Sequence, residues 1–173
     1  MGVQKIQNIV IEGIDCAGKS TLAKELKTAL GWDMRFLGHK NCQSQFLRYL
    51  KEYGTLEQTI IERSHVSESL YGKLFGRESP FSKSEEEILD GILAETALVI
   101  ACVPPLALAR ERYAERTHVR QIITSDTLAP GHEIFEHYFD ARKKFPNILR
   151  YESKNFDELE SLVSKIVEIV QHS

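Results

Sequence analysis

Apolar and polar residues follow each other along this chain in two rhythms. Residues 5–12 (KIQNIVIE) form a short apolar run rich in β-branched side chains that stops at a glycine, which predicts a buried strand. Residues 19–30 follow with Leu22, Ala23, Leu26 and Leu30 at helical spacing, which predicts a helix. The alternation continues with a weak second strand over 33–37, a helix over 43–53 and a third strand over 58–62 (QTIIE). Ser84 with Glu87 three residues later predicts a capped helix whose apolar stripe is Ile88, Ile92 and Leu93. Residues 97–103 (ALVIACV) read as a fully buried fourth strand. Pro104 and Pro105 follow it, the second suited to the first turn of a helix reaching about Arg116. A helix over 132–145 and a fifth strand over 147–151 come next. Asn155 with Glu158 then caps a last amphipathic helix carrying Leu159, Leu162, Val163, Ile166, Val167 and Val170. Five strands alternating with helices predict an α/β fold, a parallel sheet covered on both faces.

At 173 residues, without internal repeats or a long linker, the chain is expected to be one domain, 1–173. No apolar run approaches a membrane helix and MGVQKIQNIV lacks a secretory pattern, so a soluble, cytoplasmic protein is expected. Cys16, Cys42 and Cys102 have no CxxC spacing and read as reduced thiols. A net charge of -3 argues against a protein that simply coats nucleic acid. Yet residues 34–51 carry Arg35, Lys40, Arg48 and Lys51 with no acid, and residues 84–95 carry five acids with no base. This asymmetry fits a locally basic edge and equally fits two differently decorated surfaces.

The chemistry concentrates after the first strand. Gly13-Ile14-Asp15-Cys16-Ala17-Gly18-Lys19-Ser20 fits the phosphate-binding pattern G-x-x-x-x-G-K-[ST], between a predicted strand and a predicted helix as that pattern requires. Glycines let successive N–H groups turn toward an anion, the helix adds its positive end, and Lys19 neutralises the outer phosphates. Ser20 supplies a hydroxyl for Mg²⁺; Thr21 fits either a ligand or a packing role, and Cys16 is read as a small residue tolerated where the backbone matters. A carboxylate beside a polyphosphate is repelled, so Asp15 either points out of the cradle toward an acceptor or stabilises the loop by an Asx-type bond.

These residues resemble a known family. Glu12-Gly13-Ile14-Asp15-Cys16-Ala17-Gly18-Lys19-Ser20-Thr21 is similar to the thymidylate kinase form of the loop, E-G-x-D-x-x-G-K-S-T. Residues 62–71 (ERSHVSESLY) resemble the [DE]-R-S/Y-x-x-S-x-x-x-Y segment of thymidylate and deoxynucleoside kinases. Val103-Pro104-Pro105 with Leu108, Arg110, Arg112 and Arg116 is similar to the fourth-strand exit and arginine-bearing lid of those enzymes. The resemblance implies a P-loop NTPase fold with a small lid near residues 110–125 and transfer of a phosphoryl group from Mg-ATP to a deoxynucleotide-like acceptor. It implies donor contacts from residues 13–21, magnesium contacts from Ser20 and Glu62, and catalytic roles for Asp15, Lys19, Glu62, Arg63, Arg110, Arg112 and Arg116. Read from the residues alone, Arg63 could instead pair with Glu62 or Glu68. Arg112 and Arg116, interleaved with Glu111 and Glu115, also fit a solvated helix face.

The departures are as informative. Where thymidylate kinases carry an R-E-P-G-G type segment, this chain has Phe36-Leu37-Gly38-His39-Lys40-Asn41, and only about twenty residues separate the second and third strands. A small lid and an open acceptor side are therefore expected. Phage-type members of the group resemble the chain more closely around residues 63–68, Tyr71-Gly72 and 89–93, and some of those look like kinases of a hydroxymethylated pyrimidine already in DNA. Modified DNA thus stands as an alternative acceptor, which the acid-free 34–51 segment suits and the net charge does not. A non-catalytic nucleotide-binding module is the alternative of another class. His65 fits an acceptor wall or the core; His132 and His137 lack zinc-ligand spacing; and Phe135, Tyr138, Phe139 and Phe145 read as core.

Overall fold

The computed structural model describes residues 5–115, 123–141, 148–151 and 155–173. The strands are β1 (Asn8–Gly13), β2 (Asp33–Phe36), β3 (Thr59–Glu62), β4 (Ala97–Cys102) and β5 (Ile148–Tyr151), and they form one parallel sheet in the order β2-β3-β1-β4-β5. β1 and β4 are buried at every position, which is why their sequences are continuous apolar runs rather than alternating ones. The helices are α1 (Lys19–Leu30), α2 (Gln45–Thr55), α3 (His65–Leu74), α4 (Lys83–Thr96), α5 (Leu106–Glu115), α6 (Ser125–Ala141) and α7 (Phe156–Gln171). From β1 the chain crosses to one edge of the sheet and from β4 to the other. Right-handed crossovers therefore put α1 on one face, where it packs with α7, and α2 to α6 on the opposite face. The predicted five-stranded α/β architecture is the observed one. Among the described residues no helix is long and apolar enough to cross a membrane.

Two local expectations are corrected, and one helix is added to those predicted. Residues 65–74 carry no helical stripe in the sequence, yet they form α3, eight of whose residues, His65 to Gly72, are buried. The capping box of α4 is Ser82 with Glu85, not Ser84 with Glu87: Ser82 accepts from the Glu85 amide and Glu85 answers to the Ser82 amide at 2.8 Å. The helix therefore buries Leu89 and Leu93 and leaves Ile88 49% exposed. The Pro130-Gly131 pair does not delay α6, which begins at Ser125 and runs through it. A Cβ on Gly131 would meet Ile14 at 2.9 Å and Leu74 at 3.1 Å, so this glycine serves close packing of α6 on α3 and the loop after β1. The cap of α7 stands as predicted, with the Asn155 side chain accepting from the Glu158 amide. Phe135 and Phe139 are core residues, whereas Phe145 lies outside the described residues.

A buried polar knot ties the second layer together. His65 Nε2 sits 3.1 Å from Asp90 Oδ1, and a carboxylate only accepts, so Nε2 donates and Nδ1 accepts from Tyr53 Oη at 3.0 Å. Tyr138 donates to the same carboxylate at 3.3 Å, and Tyr49, Tyr53 and Phe81 set their rings edge-on or tilted against His65. His65 is thus a core residue joining α2, α3, α4 and α6, not part of an acceptor wall.

Candidate functional site

β1 sits where the crossovers diverge, so a crevice opens beyond its carboxyl end. The chain leaves β1 through Gly13 at φ 144°, passes Cys16 at φ 66° and enters α1 through Gly18 at φ 86°. Gly13 is obligatory there, since a Cβ would stand 2.0 Å from the Cys102 carbonyl oxygen. Helices α2, α3, α4 and α7 all begin with a side-chain cap, whereas α1 has none and has no acid in its first turn. Its leading amides and the positive end of its dipole are left for an anion.

Lys19 is buried and its Nζ donates to the Ile14 carbonyl at 2.6 Å, folding the ammonium back over the loop. Burial first, and the Arg63 charge second, lower its pKa to about 8 against the pull of Asp15. Ser20 Oγ donates to Glu62 Oε1 at 2.7 Å at the rim of the crevice. A hydroxyl and a carboxylate meeting there are the oxygen donors a magnesium ion takes. No group of three or more His, Cys, Asp or Glu among the described residues could hold a metal, so such an ion would take its remaining ligands from phosphate and water. Cys102 beneath the loop is a structural thiol, its pKa pushed up to about 12 by burial.

Asp15 faces away from the anion cradle. Its carboxylate accepts from Arg63 Nη2 and, at 3.2 Å, from Tyr71 Oη, while its own amide donates to Tyr71 Oη at 3.1 Å. Burial alone would raise this carboxyl, but the charges of Arg63 and Lys19 and the bonds from Arg63 and Tyr71 outweigh it and hold it below the ordinary aspartate value. Arg63, at φ 70°, therefore pairs with Asp15, not with Glu62 or Glu68. Its guanidinium lies 4.9 Å from the Tyr71 ring centre and 5.7 Å from that of Phe36, with Nε unpartnered among the described residues. These side chains wall an open pocket of about 290 Å³ completed by Leu37, Gly38, His39, Ser67, Glu68 and Arg77. The Glu68 side chain is 8% exposed and meets His39 Nδ1 at 3.1 Å.

Glu12 explains why an apolar strand ends on an acid. It is fully buried and accepts from the side chains and amides of Ser64 and Ser67 and from the Gly13 amide. One carboxylate thus joins the root of the loop to the first turn of α3, where the helix dipole favours negative charge.

The structure brings together Gly13 to Thr21, Glu62 and Arg63. Arg112 joins them, its Nη1 lying 3.4 Å from where a Cβ on Gly18 would sit, with a Tyr151 ring carbon at 3.3 Å. Arg110, two positions earlier on α5, is exposed and turned to another side of the helix. Arg116 lies outside the described residues. Sequence reasoning missed Tyr71, Phe36 and Glu68 as walls of one pocket; Tyr71 stood in the quoted 62–71 segment, but only the fold of α3 aims it at Asp15.

No family profile and no curated protein matches the sequence. Solved structures do match in fold. The YorR protein from Bacillus subtilis, in complex with phosphorylated GDP, superposes with a TM-score of 0.79 at 18% identity over 96% of this chain and 98% of that one. Deoxyadenosine kinase from M. mycoides with bound dATP gives 0.63 at 16% identity over 92% and 99%. Thymidylate kinase from Candida albicans gives 0.59 at 17% identity over 97% and 92%. The five-stranded parallel sheet with its flanking helices is the P-loop kinase fold, shared with these structures.

Proposed function

We propose that the chain is an ATP-dependent phosphotransferase whose acceptor is a deoxynucleotide-like molecule seated beside Arg63. The observation that carries this reading is the pairing of two unlike recesses across Asp15. On one side is an uncapped helix start with a buried lysine; on the other is an aromatic-walled pocket presenting Arg63 and Glu68. The kinases sharing the fold support the class of reaction. In this reading 1–173 acts as one kinase domain, the loop amides of Gly13 to Thr21 and Lys19 hold the donor phosphates, and Arg112 covers them from α5. Arg110 and Arg116 belong to the same lid, about 110–125. Ser20 and Glu62 hold Mg²⁺, which when bound neutralises charge on the transferring group. Asp15, held deprotonated, fixes the guanidinium of Arg63 toward the phosphoryl group, and transfer leans on such positioning and on cations more than on proton removal.

The test is incubation with labelled ATP and magnesium against nucleosides, nucleoside monophosphates and duplex DNA containing hydroxymethylated pyrimidine. Label on a free deoxynucleotide is expected. A second reading, phosphorylation of the modified base within DNA, is favoured by exposed Phe36, which walls the pocket and lies within the acid-free 34–51 segment; label in the polymer alone selects it. ATP binding with transfer to no acceptor makes the chain a nucleotide-binding module and refutes both.

A further inference from the structure

The sheet ends at β2, and all four of its residues are exposed, Met34 to 40% and Phe36 to 62%. Among the described residues only β3 pairs with it. Two apolar side chains on an uncovered edge strand are what soluble folds ordinarily avoid, because unpaired N–H and C=O groups template another strand.

The free edge has a readable code. The Asp33 amide donates to Gln58 O at 3.2 Å and the Leu37 amide to Glu62 O at 3.0 Å, so odd-numbered positions face β3. The backbone N–H and C=O groups of Met34 and Phe36, and of the half-buried Trp32 before them, therefore point away from β3. Two copies meeting antiparallel about a twofold axis can therefore bond only where even positions oppose even positions. Centring the axis on residue 33 sets Asp33 against Asp33, and centring it on 35 sets Arg35 against Arg35. Centring it on Met34 sets Asp33 against Arg35 twice and Trp32 against Phe36 twice. The stretch Trp32-Asp33-Met34-Arg35-Phe36 has the same chemistry read from either end: aromatic, charge, methionine, opposite charge, aromatic.

We propose that β2 is a self-association edge, on which a second copy of this chain pairs antiparallel about Met34 and joins two five-stranded sheets into one. The partner is a second copy rather than another strand, because charge complementarity is met by the segment itself. The pairing also reaches the pocket, since Trp32 of the second copy lies opposite Phe36, the pocket wall beside Arg63.

Sedimentation or light scattering on the full chain tests this independently of any activity. The wild type is expected to dimerise at micromolar concentration. Asp33→Arg and Arg35→Asp should each raise the dimer dissociation constant by about tenfold or more, and the double exchange should restore it. As a separate readout of register, Met34→Cys in a Cys42→Ser background should form an inter-chain disulfide on mild oxidation. Bonded antiparallel partners stand about 5.5 Å apart, within disulfide reach. A wild type that stays monomeric at hundreds of micromolar, single reversals that leave the dimer intact, a double exchange that fails to restore it, or a Met34→Cys variant that forms no inter-chain disulfide would each overturn the proposal.

Discussion

In the proposed reading, the buried ammonium of Lys19 makes donor binding a proton-linked event. With its pKa lowered to about 8, the side chain is about three-quarters charged at pH 7.5 and about one-eleventh charged at pH 9. If the charged form holds the polyphosphate, ATP affinity should fall about eightfold across that interval, and binding near pH 8 should take up roughly half a proton as the phosphates restore the lysine pKa. Titration calorimetry at fixed magnesium, in two buffers of different ionisation enthalpy, measures both quantities. The same group has the opposite effect on the empty fold. A lysine whose native pKa is depressed holds its proton less tightly folded than unfolded. It therefore detracts from stability below about 8 and ceases to do so as pH rises toward the ordinary 10.5. Lys19→Met should accordingly lose ATP binding yet melt higher than wild type at neutral pH. Affinity unchanged between pH 7.5 and 9, or a methionine variant that keeps the full pH dependence, would refute the placement of Lys19 at the phosphates.

Gly13→Ala drives a Cβ to 2.0 Å from the Cys102 carbonyl at a φ of 144°, and should cost more than about 3 kcal/mol in chemical denaturation. Glu12→Gln keeps the shape but replaces a charged acceptor with an amide that adds two donors opposite the Ser64 and Ser67 amides; a loss of about 2–4 kcal/mol is expected by the same measurement. Arg63→Lys should reduce phosphoryl transfer at least about tenfold, because an ammonium cannot both stack on Tyr71 and bond Asp15 as the planar guanidinium does. The depressed carboxyl of Asp15 stabilises the fold above about pH 4 and stops doing so as pH falls through its own lower native value, so Asp15→Asn should flatten the acid limb of a stability-against-pH curve.

Much of this was legible in the order of residues alone. α1 spans the residues that the helical spacing of Leu22, Ala23, Leu26 and Leu30 predicts, and left-handed Gly18 and Gly31 stand just outside its ends. β1 and β4 announced themselves as unbroken apolar runs because both their faces are covered. What stayed hidden was whatever depends on a partner far along the chain. α3 shows no stripe because it is buried all round, and its serines gain meaning only against Glu12, more than fifty positions away. Asp15 could be read from the sequence as facing an acceptor or as bracing the loop, and only the fold shows that its carboxylate accepts from Arg63 and Tyr71. Two overlapping S-x-x-E spacings at the start of α4 are indistinguishable as text, and only the fold shows that Ser82 with Glu85 caps.

The carboxylate of Glu12 has a mechanical corollary. One side chain rivets the root of the loop to the root of α3, which carries Tyr71 and Glu68. In the proposed reading the donor and acceptor seats are thereby cut from a single block, their spacing preset before either ligand arrives. Any closure over a ternary complex would then have to descend from α5 with Arg112, or swing in from residues 37–44, while the floor stays still.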